Sequence, residues 1–132
     1  MPHILIVEDE PTTSWALAEG LSDDGYTIDT FRTGEEAMVW LRGHHSDLVI
    51  TDFRLPGLSG LELAQKLSRG RHAQPVIVVT AYGSPETVRE LVRAGVAEVF
   101  PKPFHVDELR RAVRRALASK PERRRSTLRK AA

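Results

Sequence analysis

The sequence lacks cysteine and contains no long apolar run. Without cysteine the protein forms no disulfide bonds and no thiolate metal site, which fits a reducing cytoplasm. Its apolar runs reach four or five residues, whereas a membrane-spanning helix needs about 20. Acidic residues from Glu8 onward also argue against a secretory signal peptide at the amino terminus. These absences predict a cytoplasmic protein without membrane contact.

Charge is unevenly distributed along the chain, although the 132 residues carry a net charge of only +1. The segment 119–132 contains six basic residues and one acidic residue, whereas residues 1–118 contain 13 basic and 17 acidic residues. The sequence therefore predicts a folded domain over 1–118 and a basic, mobile tail or linker over 119–132. The run Arg123-Arg124-Arg125 can bind nucleic acid phosphates. No helix-turn-helix motif or aromatic platform accompanies it, so a solvated tail is the stronger interpretation.

Short apolar strands alternate with amphipathic helices along the domain. We predict strands at 3–7, 26–31, 48–52, 75–79 and 98–100, and helices that begin near residues 11, 33, 60, 85 and 106. The first helix is expected to run to about Asp24 and the last to Ala118. Continuous apolar runs suit strands buried on both faces, whereas the polar neighbours of Ile28 suit a sheet edge. The alternation predicts an α/β fold, a doubly wound five-stranded parallel sheet with helices on both faces.

Several local features of these helices are predicted as well. Thr33 and Glu36 have the spacing of a capping box at the start of the second helix. The fourth helix is expected to bury a stripe formed by Val88, Leu91 and Val92. The two tryptophans are expected to lie in different environments. Trp40 is predicted to lie in the core, and Trp15 to be either a partner contact or a partly buried surface residue.

Polar residues follow four of the predicted strands. Glu8 and Asp9 follow the first strand, Asp52 ends the third, Thr80 ends the fourth and Lys102 follows the fifth. Because parallel strands place their carboxyl ends at one edge, we expect these side chains to converge. Each also has an ordinary structural explanation, such as capping a helix or a turn, but together they favour a functional site.

The converging side chains suggest a phosphoryl-transfer chemistry. Clustered carboxylates are hard oxygen donors that suit Mg²⁺ or Mn²⁺. With a divalent cation nearby, a carboxylate can attack a phosphoryl donor. Lys102 and the hydroxyl of Thr80 are suited to binding phosphate oxygens, and the small Ala81 leaves room for the phosphate to enter.

At this point four motifs resemble those of a known family. From Ile4 to about Leu117 the chain is similar to the CheY-like receiver domains of two-component response regulators, which have a flavodoxin-like fold. The resemblance is specific as a set, although each motif alone is weak. The motifs are Val7-Glu8-Asp9-Glu10-Pro11, the stretch Asp52-Phe-Arg-Leu-Pro-Gly-Leu-Ser-Gly60, Val79-Thr80-Ala81 and Phe100-Pro-Lys102-Pro-Phe104.

The resemblance implies roles for individual residues and partners. Asp52 would be the phosphoacceptor, and Mg²⁺ would bind Glu8, Asp9, Asp52 and the main-chain carbonyl of Arg54. Thr80, with Ala81 beside it, and Lys102 would bind the phosphate. A sensor histidine kinase or phosphotransfer protein would be the donor. The face formed by the fourth helix, fifth strand and fifth helix would contact a downstream protein, the chain's own output domain or a second phosphorylated copy. Such a domain is not an enzyme beyond its own phosphotransfer and autodephosphorylation.

The sequence departs from the receiver pattern at two places. The first acidic pair is Glu8-Asp9 rather than two aspartates, and Val99 stands where many receivers have tyrosine or phenylalanine. Phe100 should point to the opposite face of its strand. We therefore expect output to rely on the loop from Thr80 to Ser84, with Tyr82 as the mobile aromatic residue. Arg54 and Tyr82 are expected to flank the phosphate and shield it from water.

A rival interpretation is a phosphatase of the haloacid-dehalogenase-like class, which also uses an aspartate at a strand end. That class needs a second acid two residues after the nucleophile, and position 54 is Arg. The sequence does not specify the cognate kinase, the downstream target, the oligomeric state or whether the receiver belongs to a longer regulator.

Overall fold

Strands and helices alternate throughout the computed structural model, which describes residues 1–69, 73–81 and 83–119. The predicted Tyr82 contact and nearly all of the predicted tail lie outside these residues. The ten predicted elements are present in the predicted order. They are β1 (His3–Val7), α1 (Pro11–Ser22), β2 (Thr27–Phe31), α2 (Gly34–Leu41), β3 (Leu48–Asp52), α3 (Gly60–Leu67), β4 (Val76–Thr80), α4 (Pro85–Arg93), β5 (Glu98–Pro101) and α5 (Val106–Ala118).

The five strands form one parallel sheet with the order β2-β1-β3-β4-β5. β2 is an edge strand, as its mixed polarity predicted. The strand order reverses between β1 and β3, which is where open α/β sheets bind ligands. In that pair Val7 is aligned with Thr51. The residues that follow these two positions therefore reach the carboxyl edge of the sheet at the same level.

The sheet is covered on both faces, which explains the continuous apolar runs of its central strands. Alternate strand residues such as Ile4 and Ile50 join α1 and α5 in one core cluster. Their neighbours Leu5 and Val49 pack with α2, α3 and α4 in the other. These four side chains have no exposed surface. Burial of such a side chain is worth about 1.5–3 kcal/mol, so the two clusters hold the strands in register.

The prediction for α4 was wrong at Val92, which is 61% exposed. Leu91 and Ala94 are buried, and Val88 is partly buried. Successive residues of a helix are separated by about 100°, so Val92 lies to one side of the stripe that Leu91 occupies. α4 covers the sheet by a narrow face, and a valine beside that face remains in solvent.

Two predicted details of the helix ends also differ from the structure. α1 ends at Ser22 rather than Asp24, with Asp23 as its C-cap and Gly25 in the left-handed region at φ +86°. The hydroxyl of Thr33 caps α2 by accepting a hydrogen bond from the Glu36 amide, and it also donates to the Glu36 carboxylate. In a capping box the Thr33 amide would donate to that carboxylate instead. A full capping box forms instead at Ser59, with Glu62.

Trp40 packs at the margin of the second cluster rather than in its centre. Its ring stacks on that of His44, with centroids 4.2 Å apart. Trp15, on α1, is 65% exposed. Among the described residues, no helix combines the length and the apolar character needed to cross a membrane.

Asp47 joins the beginnings of β1 and β3. Its carboxylate accepts a hydrogen bond from the His3 amide at 2.8 Å and lies 3.1 Å from Nε2 of His45. Burial alone would raise the pKa of Asp47, but these contacts outweigh burial and lower that pKa. The ionised carboxylate therefore stabilises the fold above its unfolded pKa of about 3.9. This contribution is lost as the pH falls through the lower pKa of the folded state.

Replacing Asp47 with Ala should reduce the free energy of unfolding by about 1 kcal/mol at pH 6, because the His3 amide loses a partly exposed, charged partner. The difference from wild type should shrink as the pH falls below about 4. Urea unfolding at pH 6 and at a pH below about 4 measures this difference in the free energy of unfolding. Glu90→Gln, a change at an exposed position of α4, is the control. A difference that is the same at low pH would contradict the assignment.

Candidate functional site

Three carboxylates meet at the carboxyl edge of the sheet, as predicted. Glu8, Asp9 and Asp52 each offer one oxygen, and these oxygens lie within 4.8 Å of one another. Glu8 and Asp9 follow β1, and Asp52 ends the neighbouring strand β3. Mg²⁺ binds oxygen ligands at about 2.1 Å, so oxygens on opposite sides of the ion are about 4 Å apart. The donor type and the spacing of these residues fit such a cation.

Lys102 compensates the negative charge of this cluster. Its Nζ donates to Oε1 of Glu8 at 2.9 Å and to Oδ2 of Asp52 at 3.1 Å. The side chain of Lys102 is 22% exposed, that of Glu8 1% and that of Asp52 14%. The Lys102 amide also donates to the carbonyl of Thr80 at 2.8 Å. Lys102 is therefore anchored between β4 and the acids rather than solvated in its loop.

The fold affects the charge of Glu8 and Lys102 in different ways. Burial is the largest influence on Glu8 and raises its pKa, although hydrogen bonds from Lys102 and the Glu10 amide act in the opposite direction. Burial alone would lower the pKa of Lys102, but its hydrogen bonds to Glu8 and Asp52 outweigh burial and raise that pKa. Lys102 is thus held as the ammonium ion, whereas the negative charge of Glu8 is disfavoured.

Glu10 does not join the cluster, although it follows Glu8 and Asp9 directly. Its carboxylate caps α1 by accepting from the amides of Thr12 at 3.2 Å and Thr13 at 2.8 Å. The bonds from Thr13, together with those from Thr12, lower the pKa of Glu10. The cluster therefore takes two acids from this turn, Glu8 and Asp9.

Three of the other predicted site residues end or follow a strand at this edge of the sheet. Thr80 is buried at the end of β4, and Ala81 is exposed beside it. Arg54, two residues after Asp52, is exposed. Val99 packs with the core cluster beneath α2, α3 and α4, while Phe100 packs with the cluster on the other face. The expected opposite orientation of Val99 and Phe100 is confirmed. The position of Tyr82 lies outside the described residues.

The segment after Asp52 is held close to the strand ends. The Phe53 amide donates to the carbonyl of Val79 at 3.1 Å, and the Gly60 amide donates to the carbonyl of Phe53 at 2.9 Å. A Cβ at Gly60 would overlap the Asp52 carbonyl oxygen. Glycine at this position therefore allows the start of α3 to lie directly against the backbone of Asp52.

Sequence reasoning missed one contact of this segment. The carboxylate of Glu35, on α2, accepts a hydrogen bond from the amide of Leu58 at 3.0 Å. In the sequence, Glu36 has the capping-box spacing to Thr33, but Glu35 is only a second acid in the first turn of the same helix, so nothing predicted its partner.

Most of the chain that forms this sheet is matched by a known family. The family described as response regulator receiver domain matches residues 4–114 of the chain. The chain belongs to this family. As a receiver it has the CheY-like fold of a two-component system protein, as the motifs indicated.

Individual proteins agree with this assignment. The receiver is 37% identical over 107 residues to the transcriptional regulatory protein TcrA of Mycobacterium tuberculosis, covering 81% of this chain and 42% of that protein. It is 38% identical over 126 residues to the phosphate regulon transcriptional regulatory protein PhoB of Rhizobium meliloti, covering 92% of this chain and 55% of that protein. The receiver thus spans about half the length of these relatives.

Solved structures share the fold of the receiver. The crystal structure of a CheY-like response regulator receiver domain protein from Methanospirillum hungatei has a TM-score of 0.84 and 26% sequence identity. The match covers 90% of this chain and 95% of that chain. The agreement extends across nearly the whole sheet and its helices.

Replacing Glu8 with Gln should raise the melting temperature of the receiver by a few degrees at pH 7 in a metal chelator. Wild type loses stability as the pH rises from the ordinary value of 4.5 through the raised pKa of Glu8, because the folded state disfavours the charged form. The neutral amide avoids this loss and still accepts from Lys102. Thermal unfolding from pH 4 to 8 tests this. A constant difference across that range, or a less stable variant at pH 7, would contradict it.

Proposed function

We propose that this receiver accepts a phosphoryl group on Asp52 from the phosphohistidine of a sensor histidine kinase or phosphotransfer protein. The observation that carries the proposal is the cluster of Glu8, Asp9 and Asp52, with Lys102 bonded to two of its members. Membership of the receiver family supports the same chemistry. The modified domain would then switch its binding surface within a phosphorelay.

The residues at the edge of the sheet suit a divalent cation. Glu8, Asp9 and Asp52 would hold Mg²⁺ through their carboxylates, and Arg54 would add its main-chain carbonyl; Mn²⁺ would fit the same oxygen donors. When bound, the cation neutralises charge that develops on the phosphoryl oxygens. The raised pKa of Glu8 is consistent with this role, because a cation would compensate the charge that burial disfavours.

The transfer requires an ionised carboxylate as the nucleophile and a positive charge beside it. An oxygen of Asp52 attacks phosphorus and forms the new P–O bond while the P–N bond to the donor histidine breaks. The imidazole leaves with the bonding electron pair and is protonated. Lys102 already contacts Asp52, so its ammonium group is placed to bind an oxygen of the incoming phosphoryl group. The hydroxyl of Thr80 would donate to another oxygen, and Ala81 leaves space for it.

Phosphorylation would be transmitted through the loop that begins at Thr80. The acyl phosphate adds negative charge and strong acceptor oxygens, toward which Thr80 would turn. Val99 is small and packed in the core cluster beneath α4, so it lacks the volume of the aromatic residue found in many receivers. Tyr82, two residues after Thr80, would serve instead. Arg54 and Tyr82 would also shield the phosphate from water and so set its lifetime.

The output would pass through the face formed by α4, β5 and α5. The partner would be a downstream protein, an output domain of the same polypeptide or a second phosphorylated copy. The names of TcrA and PhoB describe transcriptional regulators, which supports an output in transcription. Residues 119–132 would then be a linker or tail after a receiver at 1–118.

In this proposal the receiver acts in the cytoplasm as a switch, and its catalysis is limited to its own phosphotransfer and autodephosphorylation. A phosphatase with a strand-end aspartate is not favoured, because Arg54 occupies the position of the second acid. Nucleic acid binding by the basic tail is not favoured either, because no helix-turn-helix motif or aromatic platform accompanies its arginine run.

Incubation with acetyl phosphate and Mg²⁺ should add one phosphoryl group to the receiver, because Asp52 is the acid that Lys102 and the strand ends place for attack. Intact mass spectrometry measures the addition. No addition is expected in excess chelator or in Asp52→Asn, which keeps the shape of the side chain but not its charge. Equal labelling of wild type and Asp52→Asn would exclude Asp52 as the acceptor.

Reversing the charge of Asp9 with Asp9→Lys should weaken Mg²⁺ binding by about 100-fold or more, since even partners behind the metal ligands commonly contribute 10- to 100-fold. Isothermal titration with MgCl₂ measures the affinity. Asp23→Lys makes the same charge change at the opposite end of α1 and is the control. Equal weakening in the two variants would indicate a general charge effect rather than loss of a ligand.

A further inference from the structure

The segment 53–59 carries the backbone that follows the phosphoacceptor. Its two ends are fixed by main-chain bonds, from Phe53 to Val79 at 3.1 Å and from Gly60 to Phe53 at 2.9 Å. The main-chain carbonyl of Arg54, which would bind the cation, lies between them. The position of this carbonyl relative to Asp52 therefore depends on how the rest of the segment is held.

α2 contacts the middle of this segment closely. The amide of Leu58 donates to Oε2 of Glu35 at 3.0 Å. Gly57 has a φ of +75°, and a Cβ there would overlap the same carboxylate. A Cβ at Gly34, the first residue of α2, would lie 3.1 Å from Cδ2 of Leu58. Two glycines thus permit the close approach that lets the Glu35 carboxylate reach across to the neighbouring segment.

The simpler explanation of Glu35 is stabilisation of the helix, because acids in a first turn interact favourably with the helix dipole. Glu36 provides that effect too, and within the described part of the chain it hydrogen-bonds to Thr33, the cap of its own helix. Two adjacent acids of equal charge therefore have different partners. The contact of Glu35 with another element needs a separate explanation.

We propose that Glu35 is a positioning residue for the phosphoacceptor segment. Its hydrogen bond to Leu58 holds the segment 53–59 at a fixed distance from β3. At that distance the Arg54 carbonyl would point toward the same cation as the carboxylate oxygens. The role rests on the function proposed above. It is distinct from the direct contacts of Glu8, Asp9 and Lys102, because Glu35 acts only through the backbone of the segment.

The first test follows the hydrogen bond without any metal. In Glu35→Ala, exchange of the Leu58 amide hydrogen should accelerate about tenfold, because its acceptor is removed and local opening becomes easier. Glu35→Gln retains a side-chain oxygen and should exchange at nearly the wild-type rate. Glu36→Ala is the matched control, in which exchange at Leu58 should be unchanged.

The second test measures Mg²⁺ affinity by isothermal titration in the same variants. Glu35→Ala should bind about three- to tenfold more weakly, at or below the lower end of the 10- to 100-fold effects seen for partners of metal ligands. Glu35→Gln should restore the affinity, and Glu36→Ala should leave it unchanged. Melting temperatures of Glu35→Ala and Glu36→Ala should be similar, so the difference in affinity is separated from general stability.

Three results would overturn the proposal. They are unchanged Leu58 exchange in Glu35→Ala, wild-type Mg²⁺ affinity in that variant, or an equal loss of affinity in Glu36→Ala. The proposed function is tested independently by labelling of Asp52. If wild type is not labelled but its Mg²⁺ affinity still depends on Glu35, the phosphoacceptor function fails and the positioning role of Glu35 stands.

Discussion

The interaction of Lys102 with Glu8 and Asp52 is the contact on which the site depends. Three carboxylates at one edge of a sheet repel one another, and burial makes the charge of Glu8 still less favourable. One ammonium group bonded to two of the acids offsets that repulsion without neutralising the cluster. The remaining negative charge is what would attract a divalent cation, and in the proposed function the same lysine would bind the phosphoryl group.

The backbone around Asp52 is restricted by the close packing of the elements beside it. Gly60 brings α3 against the Asp52 carbonyl, and Gly57 and Gly34 allow α2 to approach the same segment. Such contacts keep the carboxylate and its neighbouring carbonyl in a fixed relation. β5, which carries Val99, lies beside β4 on the side away from β3, so Thr80 at the end of β4 stands between Asp52 and the proposed output face.

Residue patterns predicted the architecture but not every partner. Apolar runs located β1, β3 and β4 because strands buried on both faces must be apolar throughout. The convergence of Glu8, Asp9, Asp52 and Lys102 could be predicted because the carboxyl ends of parallel strands lie at one edge of the sheet. Val92 was misplaced since the width of the buried face of α4 depends on its neighbours. The partners of Glu10 and Glu35 were unpredictable for a related reason, because charge alone does not specify which donor a carboxylate reaches.

By itself, the sequence determined the order of the strands and helices, the parallel sheet and the set of polar residues at its carboxyl edge, because these follow from hydrophobic periodicity and chain connectivity. Only the tertiary structure decided how neighbouring acids divide their roles. Glu8 and Asp9 enter the cluster while Glu10 caps α1, and Glu35 reaches Leu58 while Glu36 bonds Thr33. Identical or similar side chains one residue apart point in different directions on a helix or turn, and the elements packed around them supply the donors.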